Sequence, residues 1–243
     1  MKILVTGSSG LIGRWVVSQL RAEGHTVAGL DILALTGEFG SPDFFFNCNI
    51  LDRNALITIF QSFIPDAVIH LAARTDLNEK YDLNQYATNI DGVVNIVQAV
   101  RDTPSVMRVI YTSSQLVCQV GYTPNSYSDY CPTTIYGLSK VRTEEIVRAA
   151  DGGGKTWCLV RPTTVWGPYM SDHYQKLLRL IKKGLFFHTG RSKLYKSYAF
   201  AGNIAFQYCQ MLRVPSDIIN GRTFYLCDYE PLSLRDYADA LAQ

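Results

Sequence analysis

KILVTGSSGLIGRWVVSQL, residues 2–20, changes its hydrophobic period half-way along. Ile3, Leu4 and Val5 form a short apolar run without alternation, the pattern of a strand buried on both faces of a parallel sheet. Past Gly10 the apolar residues fall at helical spacing, with Ile12, Val16 and Leu20 on one side, and Gly24 supplies a stop. At the join stand Gly7, Gly10 and Gly13, in G-x-x-G-x-x-G spacing, with Leu11 and Ile12 inside the last step. A glycine allows the tight turn. A missing Cβ lets backbone approach a pyrophosphate, and the helix N-terminus presents unpaired N–H groups and partial positive charge. A glycine-rich turn without a ligand would show the same letters. Its place after a buried strand and before a helix points to a dinucleotide site.

The rest of the chain repeats the strand–helix rhythm. Strands are predicted at 25–31, 67–73 (AVIHLAA), 107–114 (MRVIYTSS) and 156–162 (TWCLVRP). Helices are predicted after Asp52, a cap for Leu56, Ile59, Phe60 and Phe63, then over 84–101, with Val93, Val94, Ile96, Val97 and Val100 on its apolar side, and over 135–150. This is the pattern of an α/β, Rossmann-type doubly wound parallel sheet. After Pro162 the rhythm loosens. PTTVWGP (162–168) reads as a loop, 173–183 as a basic helix and 186–200 as a loop and hairpin. A helix follows near 203–212, a strand at 223–227 and a helix from about Ser233. Residues 1–165, with 199–228 returning to them, are expected to form the cofactor domain. Residues 166–198 and 229–243 are expected to form a small substrate-binding region.

The 243 residues, 47 % of them hydrophobic, suffice for one large domain. A net charge of +2 makes no general case for nucleic acid or an acidic membrane surface. No stretch has the apolar length of a membrane span, and Met1–Lys2 leads into too short an apolar run for a secretory leader. The six cysteines lack C-x-x-C or other paired spacing and read as buried thiols in a reducing cytoplasm. The four histidines have no partnered acid–cysteine spacing, so neither a metal site nor a hydrolase triad is supported.

Asp31 closes the second strand. A carboxylate there accepts both ribose hydroxyls of an adenosine and repels a 2′-phosphate, which favours NAD over NADP; a strand-end turn aspartate is the plainer alternative. In TTIYGLSK (133–140), Tyr136 and Lys140 share a helix face one turn apart. An ammonium beside a phenol lowers its pKa, and the phenol can then take a proton from a substrate hydroxyl while hydride leaves for a nicotinamide. A surface pair has the same spacing. Upstream, however, TSSQ (112–115) ends a strand with Ser113 and Ser114, where α/β sheets gather their ligands.

T-G-x-x-G-x-x-G, Asp31, HLAA (70–73), Ser114 and Y-x-x-x-K together resemble the short-chain dehydrogenase/reductase superfamily. More narrowly, they resemble its extended branch, the NAD-dependent epimerases and dehydratases of nucleotide sugars. The resemblance implies bound NAD, with Ser114, Tyr136 and Lys140 as a catalytic trio. It implies cofactor contacts from Leu71, Ala72 and Ala73, and support from Asn89 on the long helix. It also implies a homodimer and a nucleotide-sugar substrate. Asn49, followed by Ile50, stands where the family usually has an adenine-contacting Asp, and Thr164 stands where an Asn is usual. Dehydratase members carry an Asp-Glu pair where this chain has Gln115 and Leu116, so no acid is placed to protonate a departing hydroxyl. Members that make fucose nucleotides carry a Cys where Leu116 stands; Cys118 is two residues away. Members usually continue several tens of residues further, so the C-terminal substrate region reads as incomplete.

From Lys176 to Lys196 there is no Asp or Glu. Lys176, Arg179, Lys182 and Lys183 read as the solvated face of a helix packed through leucines. Arg191, Lys193 and Lys196 are divided between solvent and a substrate phosphate. Thr75, beside Arg74 at a strand end, faces either substrate or a loop turn. The expectation is an NAD-dependent epimerase working through a transient keto sugar. The alternatives are a reductase of a keto sugar or other carbonyl compound and, from a different class, a cofactor-sensing protein without turnover.

Overall fold

The apolar runs become the middle of the sheet in the computed structural model, which describes residues 1–170, 172–185, 195–228 and 230–242. The elements in chain order are β1 (Lys2–Thr6), α1 (Leu11–Ala22), β2 (Thr26–Asp31), β3 (Phe44–Asn47), α2 (Arg53–Phe63), β4 (Ala67–His70), α3 (Ala87–Arg101), β5 (Arg108–Thr112), α4 (Ile135–Ala149) and β6 (Thr156–Pro162). There follow β7 (Thr164–Trp166), α5 (Asp172–Lys182), β8 (Tyr195–Lys196), β9 (Tyr198–Phe200), α6 (Ala201–Met211), α7 (Ser216–Ile219), β10 (Arg222–Leu226), β11 (Leu232–Ser233) and α8 (Leu234–Ala242). Single 3₁₀ turns lie at Leu83–Tyr86, Gln115–Val117 and Asp151–Gly153.

Seven parallel strands form the main sheet in the order β10-β6-β5-β4-β1-β2-β3. Strand order reverses between β1 and β4, the place where such sheets open a crevice at their carboxyl ends. Successive residues of β1 feed opposite faces. Ile3 and Val5 join a core with Val16, Leu20, Ile204 and Tyr208. Leu4 joins another with Leu56, Phe60, Val93, Ile96 and Trp157. This double burial is why the strands read as unbroken apolar runs. Asp52 caps α2 as expected, its Oδ1 accepting from Ala55 N at 3.0 Å.

Several expectations need correction. The strands predicted at 67–73 and 107–114 stop at His70 and Thr112. Residues 84–101 divide into a 3₁₀ turn and α3, and Val94, one position and about 100° round from buried Val93, is 47 % exposed. The loop predicted at 162–168 contains β7, which pairs in parallel with β9. Of the loop and hairpin expected over 186–200, only 195–200 are described, and there β8 pairs antiparallel with β11. Both pairings are made with distant parts of the chain, which local periodicity does not register. The edge strand β3 was not expected; Phe44 and Phe45 are exposed and show no alternation. On α5, expected to pack through its leucines, Ile181 is buried while Leu180 is 46 % exposed.

Candidate active site

β1 delivers Thr6 to the carboxyl edge, and Gly7 turns the chain at φ +70°. A Cβ on Gly7 would lie 2.6 Å from Ala72 N, so only glycine lets the turn close on residues 71–73. Thr6 secures the same approach: its Oγ1 accepts from Ala72 N at 3.2 Å and pairs with His70 Nδ1 at 2.8 Å. Gly10 is the N-cap of α1 and adds no side-chain bond, and Gly13 is buried in the first helical turn. Leu11 and Ile12 therefore present a first turn whose N–H groups lack a capping side chain. Asp31 binds the turn from the next strand, with Oδ2 accepting from Ser9 N and Oδ1 from Leu33 N, each at 3.0 Å. Each carboxylate oxygen keeps acceptor capacity for a ribose hydroxyl. A bare turn, an uncapped helix start and a carboxylate at the next strand end fit a dinucleotide.

Asn49 is exposed, with its Oδ1 accepting from Leu51 N at 3.0 Å. Ile50 is buried in the core, and its carbonyl accepts from Asn95 Nδ2 at 3.0 Å. Asn89, expected to support the site from the long helix, is fully buried and its amide is used inside the protein. Oδ1 accepts from Arg74 N at 2.8 Å, and Nδ2 donates to Arg74 O at 2.9 Å and to Ser139 Oγ at 2.8 Å. Its geometry is that of a support.

Thr134 starts α4 by accepting from Gly137 N at 2.9 Å. Gly137, between Tyr136 and Lys140, lies against the 115–117 turn, where a Cβ would come within 2.3 Å of Leu116 O. The small residue lets that turn, headed by Ser114, press onto the helix. Ser114 Oγ accepts from Leu116 N at 3.1 Å. Tyr136 and Lys140 are buried, and Lys140 Nζ donates to Thr112 O at 3.0 Å. Burial pushes the Tyr136 phenol up to about 12, a hydrogen bond with Ser114 acts in the opposite direction, and Tyr86 adds to the rise. Burial brings Lys140 down to about 8, opposed by Glu144. Desolvation thus dominates, and the drawing-down expected from Lys140 has no part in the shift. His70 is held neutral, its pKa lowered to about 3 by burial and by the neighbouring Lys140.

Behind α4 lies a polar framework that the sequence reading did not single out. Arg161 on β6 and Glu144 on α4 are both fully buried and joined by two bonds of 2.8 Å. Glu144 Oε2 also accepts from Tyr130 OH at 2.9 Å, and Arg161 donates to Tyr225 OH and to Tyr127 O. Ser139 Oγ donates to Tyr136 O at 2.7 Å, which extends the Asn89 bond to the backbone of Tyr136. The sequence signal for Glu144 was its place one turn beyond Lys140; Arg161 gave none.

A cavity of about 380 Å³ is walled by residues including Gln115, Gln119, Tyr122, Tyr195, Lys196 and Tyr225. Among the described residues Lys196 is the one charged side chain in its wall, and burial lowers the pKa of its ammonium. Tyr136 is not part of this wall. Thr164 is 6 % exposed on β7, and Thr75 is exposed on the loop after β4. Arg74 is held by Asp76 at 2.7 Å. His188, Arg191 and Lys193 lie outside the described residues. Among the described residues, no group of three or more His, Cys, Asp or Glu could hold a metal, and no helix is long and apolar enough to cross a membrane.

A model of the NAD-dependent epimerase/dehydratase family matches residues 3–227. The chain belongs to this family. NAD is its cofactor, and the glycine turn, the uncapped α1 and Asp31 suit that dinucleotide. Within the curated relatives, a 3 beta-hydroxysteroid dehydrogenase/Delta 5→4-isomerase of Mycobacterium tuberculosis is 26 % identical over 257 residues, spanning 98 % of this chain and 67 % of the relative. A UDP-glucose 4-epimerase of Mycolicibacterium smegmatis is 30 % identical over 188 residues, or 71 % of this chain and 59 % of that protein. The UDP-glucose 4-epimerase of Thermotoga maritima, solved with UDP-glucose, superposes with a TM-score of 0.84 at 21 % identity, covering 99 % of this chain and 81 % of that one. That likeness shows the family's fold.

Proposed function

We propose that the protein is an NAD-dependent epimerase of a nucleotide sugar, acting through a transient keto intermediate. What carries this reading is the buried set of Ser114, just past the end of β5, with Tyr136 and Lys140 on α4, where Lys140 reaches the last carbonyl of β5. Tyr136 takes the proton from a sugar hydroxyl. Ser114 holds the same oxygen, and Lys140 shares the proton load of the phenol. NAD, when bound, supplies the acceptor for the substrate's hydride and returns it. Reduction from the opposite face of the keto sugar inverts the carbon, so net redox change is zero. Gln115 and Leu116 disfavour dehydration, because neither protonates a leaving hydroxyl.

Lys196, Arg191, Thr164 and Thr75 are assigned to the substrate on this reading, with Lys196 meeting a phosphate. Gly7, Gly10, Leu11, Ile12, Gly13, Asp31, Asn49, Ile50 and residues 71–73 belong to the cofactor side. Residues 1–165 and 199–228 form the cofactor domain, and 166–198 with 229–243 the substrate region. The same reading makes the enzyme a cytoplasmic homodimer paired through α3 and α4, where Val94 is available as an apolar contact.

The test is to incubate the protein with UDP- and dTDP-hexoses and follow the sugar by NMR. Interconversion of two epimers without accumulation of NADH is expected. Stoichiometric NADH formation with one oxidised product would replace the proposal with a dehydrogenase or reductase that exchanges cofactor. That second reading is favoured by the hydroxysteroid dehydrogenase relative, whose match spans 98 % of this chain.

A further inference from the structure

Tyr169 has φ +74°, in the left-handed region that a bulky side chain avoids. Glycine or asparagine would occupy this backbone at lower cost, so a tyrosine there needs a reason in its ring. The ring stacks on Phe39 with centroids 5.6 Å apart and planes 7° from parallel. The Arg14 guanidinium lies 4.7 Å from its centroid. Arg14 is itself buried, and it fastens two pieces of the cofactor side. Its Nε donates to Ser9 O at 3.0 Å, inside the glycine turn. Its Nη1 donates to Thr36 O at 2.7 Å and to Phe39 O at 3.4 Å, in the segment that follows Asp31. Phe39 also meets Trp15, whose ring contacts Phe200 at the end of β9.

We propose that Tyr169 is a latch that retains the dinucleotide by fastening the segment after β2 to the linker after β7 across the first turn of α1. NAD seated on the glycine turn and Asp31 leaves when the segment past Asp31 moves. Arg14 and Phe39 hold that segment, and Tyr169 locks both from the substrate-side linker. The ring, and not the hydroxyl, carries the function, since stacking and cation–π attraction both act through its face. Tyr169 touches no reacting atom and is a positioning residue. The proposal rests on the reading that cofactor is retained between turnovers.

The test is the dissociation rate of NADH, followed by nicotinamide fluorescence in stopped flow after mixing with excess NAD. Tyr169→Asn keeps a residue that tolerates the left-handed backbone and removes the ring; it is expected to speed release by about tenfold or more. Tyr169→Phe is expected to match wild type within about twofold, as its ring is retained. Phe39→Leu removes the stacking partner without touching the strained residue, and a rise in rate is expected there too. It carries the test if Tyr169→Asn does not fold. Release at the wild-type rate from a folded Tyr169→Asn or Phe39→Leu protein overturns the latch. A fast wild-type rate would instead count against cofactor retention, and the ratio of variant to wild-type rates would still decide the latch.

Discussion

Residues 2–162 and 163–242 are built to different standards. The first part carries strands of four to seven residues, all in the main sheet. Outside β10, the second part's strands have two or three residues and pair among themselves. Behind Tyr136 and Lys140 stand buried polar groups with satisfied bonds: Asn89, Ser139, Glu144 and Arg161. Around the 380 Å³ cavity the described wall includes tyrosines, glutamines, small and apolar residues and Lys196. A rigid first part suits proton chemistry, which tolerates little positional error, while a lightly built second part suits substrate choice. Changes in the first part should therefore alter rate or folding, and changes in the second should alter affinity.

The largest expected effect is that of Tyr136→Phe. Turnover should fall by about 10²–10⁴-fold, with the NAD content of the purified protein unchanged. Turnover at the wild-type rate would remove Tyr136 from the chemistry. Next comes Glu144→Ala, which strands the buried Arg161 charge and should cost about 3–5 kcal/mol in urea unfolding. A loss below 1 kcal/mol, roughly that of an exposed pair, would mean the framework is not what stiffens α4.

The pH profile tests how Tyr136 and Lys140 share protons. With Lys140 near 8 and Tyr136 near 12, the pair that has lost one proton is the working form. The rate of substrate oxidation should rise as pH increases through about 8 and fall by about tenfold per unit below it. Lys140→Met should move the rise towards 12, so activity at pH 8 collapses and partly returns in alkali. A profile unchanged by that substitution would dissolve the pair. The smallest effect belongs to the second part. Lys196→Met should raise KM for a phosphate-bearing substrate by about tenfold and leave kcat within about twofold. A fall in kcat at constant KM would put Lys196 in the chemistry and erase the contrast between the two parts.

The legible features were those whose cause is local. Doubly buried strands declare themselves by composition, and the glycine turn declares itself because Gly7 must lie against Ala72. The Tyr–Lys spacing needed only helix geometry. What stayed hidden depends on partners far along the chain. Arg161 reads as an ordinary strand-end cation until Glu144 is seen against it, and β7 is a strand only because β9 lies alongside. The partners through which Asn89 gives its support, Arg74 and Ser139, likewise meet only in three dimensions. The direction of the Tyr136 shift was missed for a similar reason: spacing shows a nearby lysine and does not show the depth of burial.

Epimerisation with no net redox change requires a cofactor that stays on the protein, and this can be measured without knowing the sugar. The purified protein, given no added nucleotide, would be denatured and its released small molecules identified by chromatography and mass spectrometry. A retained and recycled cofactor predicts NAD⁺ or NADH in near-stoichiometric amount. A protein that emerges empty and binds NADH only reversibly would contradict it and point to an enzyme that exchanges its cofactor at each turnover.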